Sequence, residues 1–179
     1  MAMLNISLAI LLFLSLLLFL WQLSNFISVI FGSPFVSAEK QTSQKAIKIL
    51  NLKKGEVFYE LGCGSGQVLL EANKYGVEAV GFEISPFYFA LSTLRTLFCP
   101  RIKIYCRDIR KVDFSRADAM YCYLLPNFLE ALAPKFKKEL SNKARLVSVG
   151  FAVNGLKNKK TFKIGKHKFY YYSLNSRSA

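Results

Sequence analysis

The sequence predicts an α/β fold, in which a mostly parallel seven-stranded sheet ends in an antiparallel hairpin and follows one N-terminal transmembrane helix. Three observations support this prediction. The first 38 of the 179 residues are strongly apolar and carry no charge, apolar strand-like runs then alternate with helical segments, and two β-rich runs joined by a glycine close the chain. Alternating strands and helices are typical of a parallel sheet with helices on its faces.

The apolar N-terminal segment is long enough to cross a membrane. Residues 4–31 are mainly apolar, and their centre, residues 8–20, is interrupted only by Ser15. About 20 apolar residues span a hydrocarbon core of about 30 Å. A cleaved signal peptide is the alternative, because Val36-Ser37-Ala38 is an acceptable cleavage site. However, no Lys or Arg precedes the run, and the run is longer than a usual signal-peptide core. We therefore expect a transmembrane anchor over residues 1–31.

Basic residues indicate the orientation of this anchor. Five lysines follow the span and nothing basic precedes it: Lys40, Lys45, Lys48, Lys53 and Lys54. The positive-inside rule then predicts a single-pass membrane protein whose C-terminal domain lies on the cytoplasmic side.

No metal site is expected, because Cys63, Cys99, Cys106 and Cys122 show no CxxC pairing and His167 is the one histidine.

The elements after the anchor follow in a regular order. Residues 32–55 are expected to form a linker and a short helix, and residues 56–179 the globular domain. Strands are predicted at 56–61, 77–83, 101–108, 118–125 and 144–153, with a hairpin formed by 160–165 and 166–174. Helices are predicted within 38–52 and at 66–75, 86–98 and 126–140, the last two opened by Pro86 and Pro126.

A glycine-rich loop follows the first predicted strand. Gly62, Gly64 and Gly66 come where the chain turns from strand into helix, a position that suits close approach by a ligand. The GxGxG spacing differs from the GxGxxG dinucleotide fingerprint, and no GK[ST] follows to make a phosphate loop. The loop by itself is therefore a weak signal for a ligand site.

Three carboxylates strengthen that signal. Glu60 precedes the glycines, Glu83 ends the second predicted strand, and Asp108 ends the third. Solvated strand ends would account for any one of them but poorly for all three. Ligands of parallel sheets bind at the carboxyl ends of the strands, so we expect a ligand site there.

The segment from Glu56 to Asp108 resembles the cofactor-binding half of class I S-adenosylmethionine-dependent methyltransferases. The sequence ELGCGSG, residues 60–66, matches their E/D-x-G-x-G-x-G loop. The resemblance implies a Rossmann-like methyltransferase sheet and S-adenosylmethionine as the cofactor. In it, Glu83 would hold the ribose hydroxyls, Asp108 would lie beside the adenine amino group, and Glu60 would face the cationic end of the cofactor. The implied cofactor-binding residues are Glu60, Gly62, Cys63, Gly64, Gly66, Glu83, Ile84, Asp108 and Ile109.

A narrower resemblance covers more of the chain. The apolar anchor, the sequences SPFVS, YELGCGSG and GFEISP, and the lack of a large substrate domain are similar to the membrane-anchored mitochondrial lysine methyltransferases. Those enzymes act on the adenine nucleotide translocase and the ATP synthase c-subunit, and they have prokaryotic relatives. The resemblance implies a substrate-side role for Pro34, Phe35 and Val36, although the family usually continues with Pro-Thr where Ser37-Ala38 stands. It also implies a membrane or membrane-associated protein with an accessible lysine as substrate, in a prokaryotic plasma membrane.

The sequence after the fourth predicted strand bears on the acceptor. YCYLLPNF, residues 121–128, lacks the [DN]-P-P-[YF] motif with which many methyltransferases hold a planar amide or base nitrogen. A lysine amine needs only to lose its proton and meet the methyl group in line. The catalytic residue is not identified, and the candidates are Tyr121, Tyr123 and Pro126. The tyrosines could hold a lysine ammonium by cation–π attraction, and core packing is their alternative role.

The net charge of +14 leaves two kinds of partner open. Basic domains bind nucleic acid through phosphates, and an anchored basic domain is also attracted to an anionic lipid surface. The anchor favours the lipid surface, so nucleic acid is the less favoured partner. The predicted function is that of a membrane-anchored protein-lysine methyltransferase. An RNA methyltransferase and a non-catalytic cofactor-binding membrane scaffold are the alternatives.

Overall fold

A computed structural model describes residues 2–30, 39–157 and 160–174. The helices are α1 Ala2–Ile30, α2 Lys40–Leu50, α3 Gln67–Asn73, α4 Pro86–Arg95 and α5 Pro126–Glu139, with a short 3-10 helix at Ile109–Lys111. The strands are β1 Val57–Leu61, β2 Glu78–Glu83, β3 Ile102–Cys106, β4 Ala119–Cys122, β5 Arg145–Val149, β6 Lys160–Ile164 and β7 His167–Ser173. Every helix and strand predicted from the sequence is therefore present.

The seven strands form one mixed sheet in the order β3-β2-β1-β4-β5-β7-β6. Strands β1 to β5 are parallel to one another, whereas β7 pairs antiparallel with both β5 and β6. The predicted sheet with its C-terminal hairpin is confirmed. The strand order reverses between β1 and β4, so the connections that follow these two strands leave in opposite directions and leave room for a ligand between them.

Both faces of the sheet are buried. Helices α2, α3 and α4 cover one face, where Phe58 of β1 is fully buried. Helix α5 and the segment 109–117 cover the other face, where Tyr59 and Leu61 are buried. Side chains alternate along a strand, so apolar residues at all of these positions give β1 a core on each side.

Several strands end earlier than their apolar runs predicted. Strand β5 was expected to reach residue 153 but stops at Val149, because Gly150 has a φ of +84° and turns the chain. The hydroxyl of Ser148 donates a hydrogen bond of 2.7 Å to the carbonyl of Phe151 across this turn. Strand β3 likewise ends at Cys106, and Asp108 instead caps the short 3-10 helix.

Helix α1 is separate from the core of the domain. Its segment Asn5–Leu23 is long and apolar enough to cross a membrane, and none of that segment is buried. A signal sequence near the N-terminus has the same length and composition, so both interpretations of this helix stand. Helix α1 approaches the rest of the chain at α4.

Candidate active site

The glycine loop between β1 and α3 has a conformation that requires glycine. Gly62, Gly64 and Gly66 have φ values of +72°, +51° and +77°, in the left-handed region that other residues avoid. The backbone N–H groups of Gly62 and Cys63 both donate to the Phe82 carbonyl, at 2.9 and 3.0 Å. The loop is therefore fastened to β2, and its backbone is free of side chains where it faces the sheet edge.

Glu83 connects β2 to this loop. Its side chain is largely buried, and its two oxygens accept hydrogen bonds from the N–H groups of Gly64, at 2.8 Å, and Ser85, at 2.9 Å. Burial raises the pKa of the Glu83 carboxyl, and the backbone donors oppose that shift. Each carboxylate oxygen has two lone pairs, so both oxygens can also accept from a ligand with adjacent hydroxyl groups.

Asp108 is held by a neighbouring arginine. The backbone N–H of Arg110 donates to Oδ1 at 3.0 Å, and its guanidinium donates to both oxygens, at 2.7 Å for Nη2 to Oδ2. These hydrogen bonds keep the pKa of Asp108 below its ordinary value. The Arg110 guanidinium also lies over the Phe128 ring, 5.7 Å from its centroid. Arg110 therefore joins the end of β3 to the first turn of α5.

A cleft at the carboxyl ends of β1, β2 and β4 brings most of these groups together. It encloses about 20 Å³ of space that solvent can occupy, within about 320 Å³ of empty volume that includes open solvent. Five predicted residues line it, namely Gly62, Glu83, Ile84, Asp108 and Ile109, and they are joined by Phe82, Arg107, Leu124 and Phe128. Apolar walls with a few convergent polar groups are typical of small-molecule sites. No motif indicated Phe128 or Arg110, because these two side chains meet only in the fold.

Glu60 and Tyr121 lie beneath the loop rather than in the cleft. They are register partners on β1 and β4, with exposed fractions of 3% and 2%. Burial raises both pKa values well above their ordinary range, and for Glu60 the Leu69 backbone N–H opposes this shift. Within the described residues, Glu60 Oε2 and the Tyr121 hydroxyl have no hydrogen-bond partner. A buried acceptor of this kind stabilises a nearby donor or cation.

The candidate substrate-side residues are dispersed. Tyr121 packs in the core, as the core-packing alternative predicts. Tyr123 is half-buried and meets the His167 ring edge-on at 6.0 Å, so the two tyrosines do not form a shared open slot. Pro126 is exposed at the start of α5, in the same turn as Phe128, which lines the cleft. Pro34, Phe35 and Val36 lie outside the described residues.

The sequence matches a known methyltransferase family. Residues 60–160 match the family model described as the ANTKMT methyltransferase domain. The chain is 30% identical over 150 residues to a protein-lysine N-methyltransferase of Saccharolobus islandicus, covering 79% of this chain and 93% of that protein. It is 29% identical to the human lysine N-methyltransferase of the ATP synthase c-subunit, where the match covers 66% of this chain but only 52% of the longer human protein.

Solved structures support the fold. An RNA methyltransferase from Salinibacter ruber, in complex with S-adenosyl-L-homocysteine, superposes with a TM-score of 0.74. The superposition covers 78% of this chain and 94% of that structure, at 22% sequence identity. At this identity the likeness establishes the shared sheet topology and leaves the methyl acceptor undetermined.

Proposed function

We propose that this chain, which belongs to the ANTKMT methyltransferase domain family, transfers a methyl group from S-adenosylmethionine to lysine side chains of a membrane or membrane-associated protein. Family membership makes it an S-adenosylmethionine-dependent methyltransferase. The acceptor and the site of action are proposals, and they rest on the observations that follow.

The residues of the cleft fit S-adenosylmethionine. The two oxygens of Glu83 suit the ribose diol, Asp108 suits the adenine amino group, and Ile109 supplies an apolar contact for the base. Left-handed glycines allow close approach of the methionyl part, and the unpaired Oε2 of Glu60 suits its cationic end. The cofactor would supply an activated methyl group on a sulfonium sulfur.

Lysine is the acceptor that the site and the relatives favour. The wall of the cleft after β4 is formed by Leu124 and Phe128, at the place where a polar motif would hold a planar nitrogen. Apolar side chains there offer a flexible amine a dry channel, and they offer no hydrogen bonds to an amide or a base. Both relatives described above are named as lysine methyltransferases. This apolar wall is the observation that carries the proposal.

The proposed organisation follows the sequence-based boundaries. Residues 1–31 form the anchor, residues 32–55 the linker and short helix, and residues 56–179 the catalytic domain, with Pro34, Phe35 and Val36 on the substrate side. The net charge of +14 supports attraction to an anionic leaflet, at about 1 kcal/mol for each basic residue close to the surface. Tethering would raise the effective concentration of any target lysine beside the bilayer.

An RNA acceptor is the second candidate, favoured by the same positive charge. The lysine and RNA acceptors are distinguished by incubating the full chain with radiolabelled S-adenosylmethionine and membranes from cells that lack this protein. Label that resists RNase and is released by protease supports the proposal, whereas RNase-sensitive label identifies an RNA methyltransferase. Absence of transfer, with cofactor binding intact, would identify a non-catalytic scaffold. A Glu83→Ala variant serves as the control for cofactor-dependent labelling.

A further inference from the structure

Helix α4 has an inverted arrangement of polar and apolar side chains. On its inner face Tyr88 is buried at the start of the helix, and towards its end the polar Ser92 and the C-cap residue Thr96 are buried, with exposed fractions of 0% and 6%. On its outer face and in the turn after it, Leu94, Leu97 and Phe98 are exposed to 70%, 63% and 92%. A surface helix of a globular domain normally turns its apolar side chains inward.

Packing against the glycine loop accounts for the polar inner face. A Cβ atom on Gly66 would lie 3.3 Å from Ser92 Cβ, so only small side chains fit at this contact. Arg95 donates hydrogen bonds to the Ser65 carbonyl, at 2.9 Å, and to Gln67 Oε1. Packing and hydrogen bonds from α4 thus hold the glycine loop in place.

Packing within the domain does not account for the apolar outer face. Among the described residues outside α1, no other large apolar side chain is more than 42% exposed. Three adjacent side chains with exposures of 63% or more therefore form a distinct apolar patch. Contiguous exposed apolar surface marks a site of contact with a membrane or a partner.

The charges around this patch suit an anionic partner. No acidic residue occurs between Glu83 and Asp108, and the basic residues Arg95 and Arg101 flank the patch in the sequence. Lys103 and Arg107 lie with Tyr105 on the opposite face of the sheet, while Arg101 is exposed three residues after Phe98. Apolar side chains bordered by basic ones are characteristic of elements that lie in the headgroup region of anionic membranes.

The position of helix α1 identifies which partner covers the patch. Helix α1, which contains the candidate membrane span, approaches the domain at α4, so a bilayer that contains α1 would lie near α4. We propose that Leu94, Leu97 and Phe98 form an insertion patch that enters the headgroup region of an anionic bilayer. This inference rests on the membrane attachment proposed above. Because α4 begins three residues after Glu83, insertion would hold the cofactor cleft at a fixed height above the membrane.

Tryptophan fluorescence in bilayers tests the insertion patch. The chain has one tryptophan, Trp21 in α1, which reports on the anchor in the unmodified protein. A Trp21→Phe, Phe98→Trp variant moves the reporter to the patch. A Trp21→Phe, Tyr105→Trp variant is the matched control, because Tyr105 is 42% exposed and stacks on Phe82 of the opposite sheet face. Each full-length protein is reconstituted in anionic vesicles with and without brominated phospholipids.

We expect bromine quenching and a blue-shifted emission for tryptophan at 98, comparable with Trp21, and neither effect at 105. An unquenched tryptophan at 98 beside a quenched Trp21 would overturn the insertion patch while leaving the anchor intact. Emission at 98 that shifts only when a membrane protein target is added would overturn it in favour of a protein-binding surface. Reporters unquenched at both 21 and 98 would overturn the anchor and the patch together. Equal quenching of the tryptophans at positions 98 and 105 would also contradict the insertion patch, since that result indicates non-specific adsorption.

Discussion

At the scale of single residues, Glu83 has two tasks that use the same carboxylate. Its oxygens accept backbone hydrogen bonds from Gly64 and Ser85, and the same oxygens face the cleft that is proposed to bind the cofactor. The acid at the end of the second strand was evident from the sequence. The hydrogen bond that Glu83 accepts from Gly64 was not evident, because that contact depends on the folded path of the loop.

Replacing Glu83 by alanine should weaken binding of S-adenosylhomocysteine by about 1–3 kcal/mol, because two hydroxyl groups and two backbone N–H groups lose their acceptor. Isothermal titration calorimetry measures this loss directly. Glu78→Ala is the control, since Glu78 begins the same strand and pairs with Lys103 away from the cleft. Equal affinities of the two variants would show that the cleft does not bind the cofactor through Glu83.

Arg110 is expected to determine how Asp108 meets the adenine base. In an Arg110→Gln variant the carboxylate loses the guanidinium that fixes it, although the backbone N–H of residue 110 remains a donor. Discrimination between S-adenosylhomocysteine and its 6-oxo analogue should therefore fall by about 1 kcal/mol. Competitive binding measurements with both compounds test this expectation, with Arg101→Gln as the surface control. Unchanged discrimination in Arg110→Gln would exclude Asp108 from base recognition.

Glu60 should make stability depend on pH. Burial raises its pKa well above the ordinary value in the fold, so the folded protein holds a proton that the unfolded chain has already released. Stability from this group is therefore lost as pH rises from its ordinary pKa through the raised one. In the absence of cofactor, Glu60→Gln should raise the melting temperature more at about pH 7.5 than at about pH 5. The same increase in melting temperature at both pH values would mean that neighbouring groups already stabilise the buried Glu60 carboxylate.

At the scale of elements, the sequence predicted every helix and strand but not where the strands end. Hydrophobic periodicity and the helix-opening prolines at 86 and 126 are local signals, and they correctly predicted the order of elements. Strand ends depend on turns such as Gly150 and on the cap formed by Asp108, which apolar runs do not reveal. The burial of Ser92 in α4 was also hidden, because it depends on packing against Gly66 in the folded loop.

Substitutions at two glycines, Gly66 and Gly165, measure the cost of backbone strain separately from the cost of steric contact. Gly66 and Gly165 both have left-handed φ values, but a Cβ atom meets Ser92 at Gly66 and open space at Gly165. Gly165→Ala should lower the free energy of unfolding by about 1–2 kcal/mol, the cost of the backbone conformation alone, and leave cofactor affinity unchanged. Gly66→Ala should cost more and weaken cofactor binding as well. Chemical denaturation and calorimetry measure both effects, and identical losses would contradict the proposed packing of α4 on the loop.

At the scale of the whole molecule, an apolar helix approaches a basic domain at α4, the helix that begins three residues after Glu83. The sequence indicated both parts through their contrast in charge, and it indicated the cofactor edge through acids at three strand ends. It could not show that α1 approaches the domain at α4 or that α4 presents apolar side chains outward. Both features depend on contacts between residues far apart in the chain. Together they support a domain that works against a membrane surface.

The central claim is that this chain methylates lysine in a protein at the membrane, and amino-acid analysis of the labelled product tests it most directly. Membrane protein labelled by the full chain with [methyl-³H]S-adenosylmethionine is hydrolysed in acid, and the radioactive amino acid is identified by chromatography against standards. We predict that the label co-migrates with mono-, di- or trimethyl-lysine and is lost with the Glu83→Ala variant. Label in any other amino acid, or label recovered only in nucleosides, would contradict the claim.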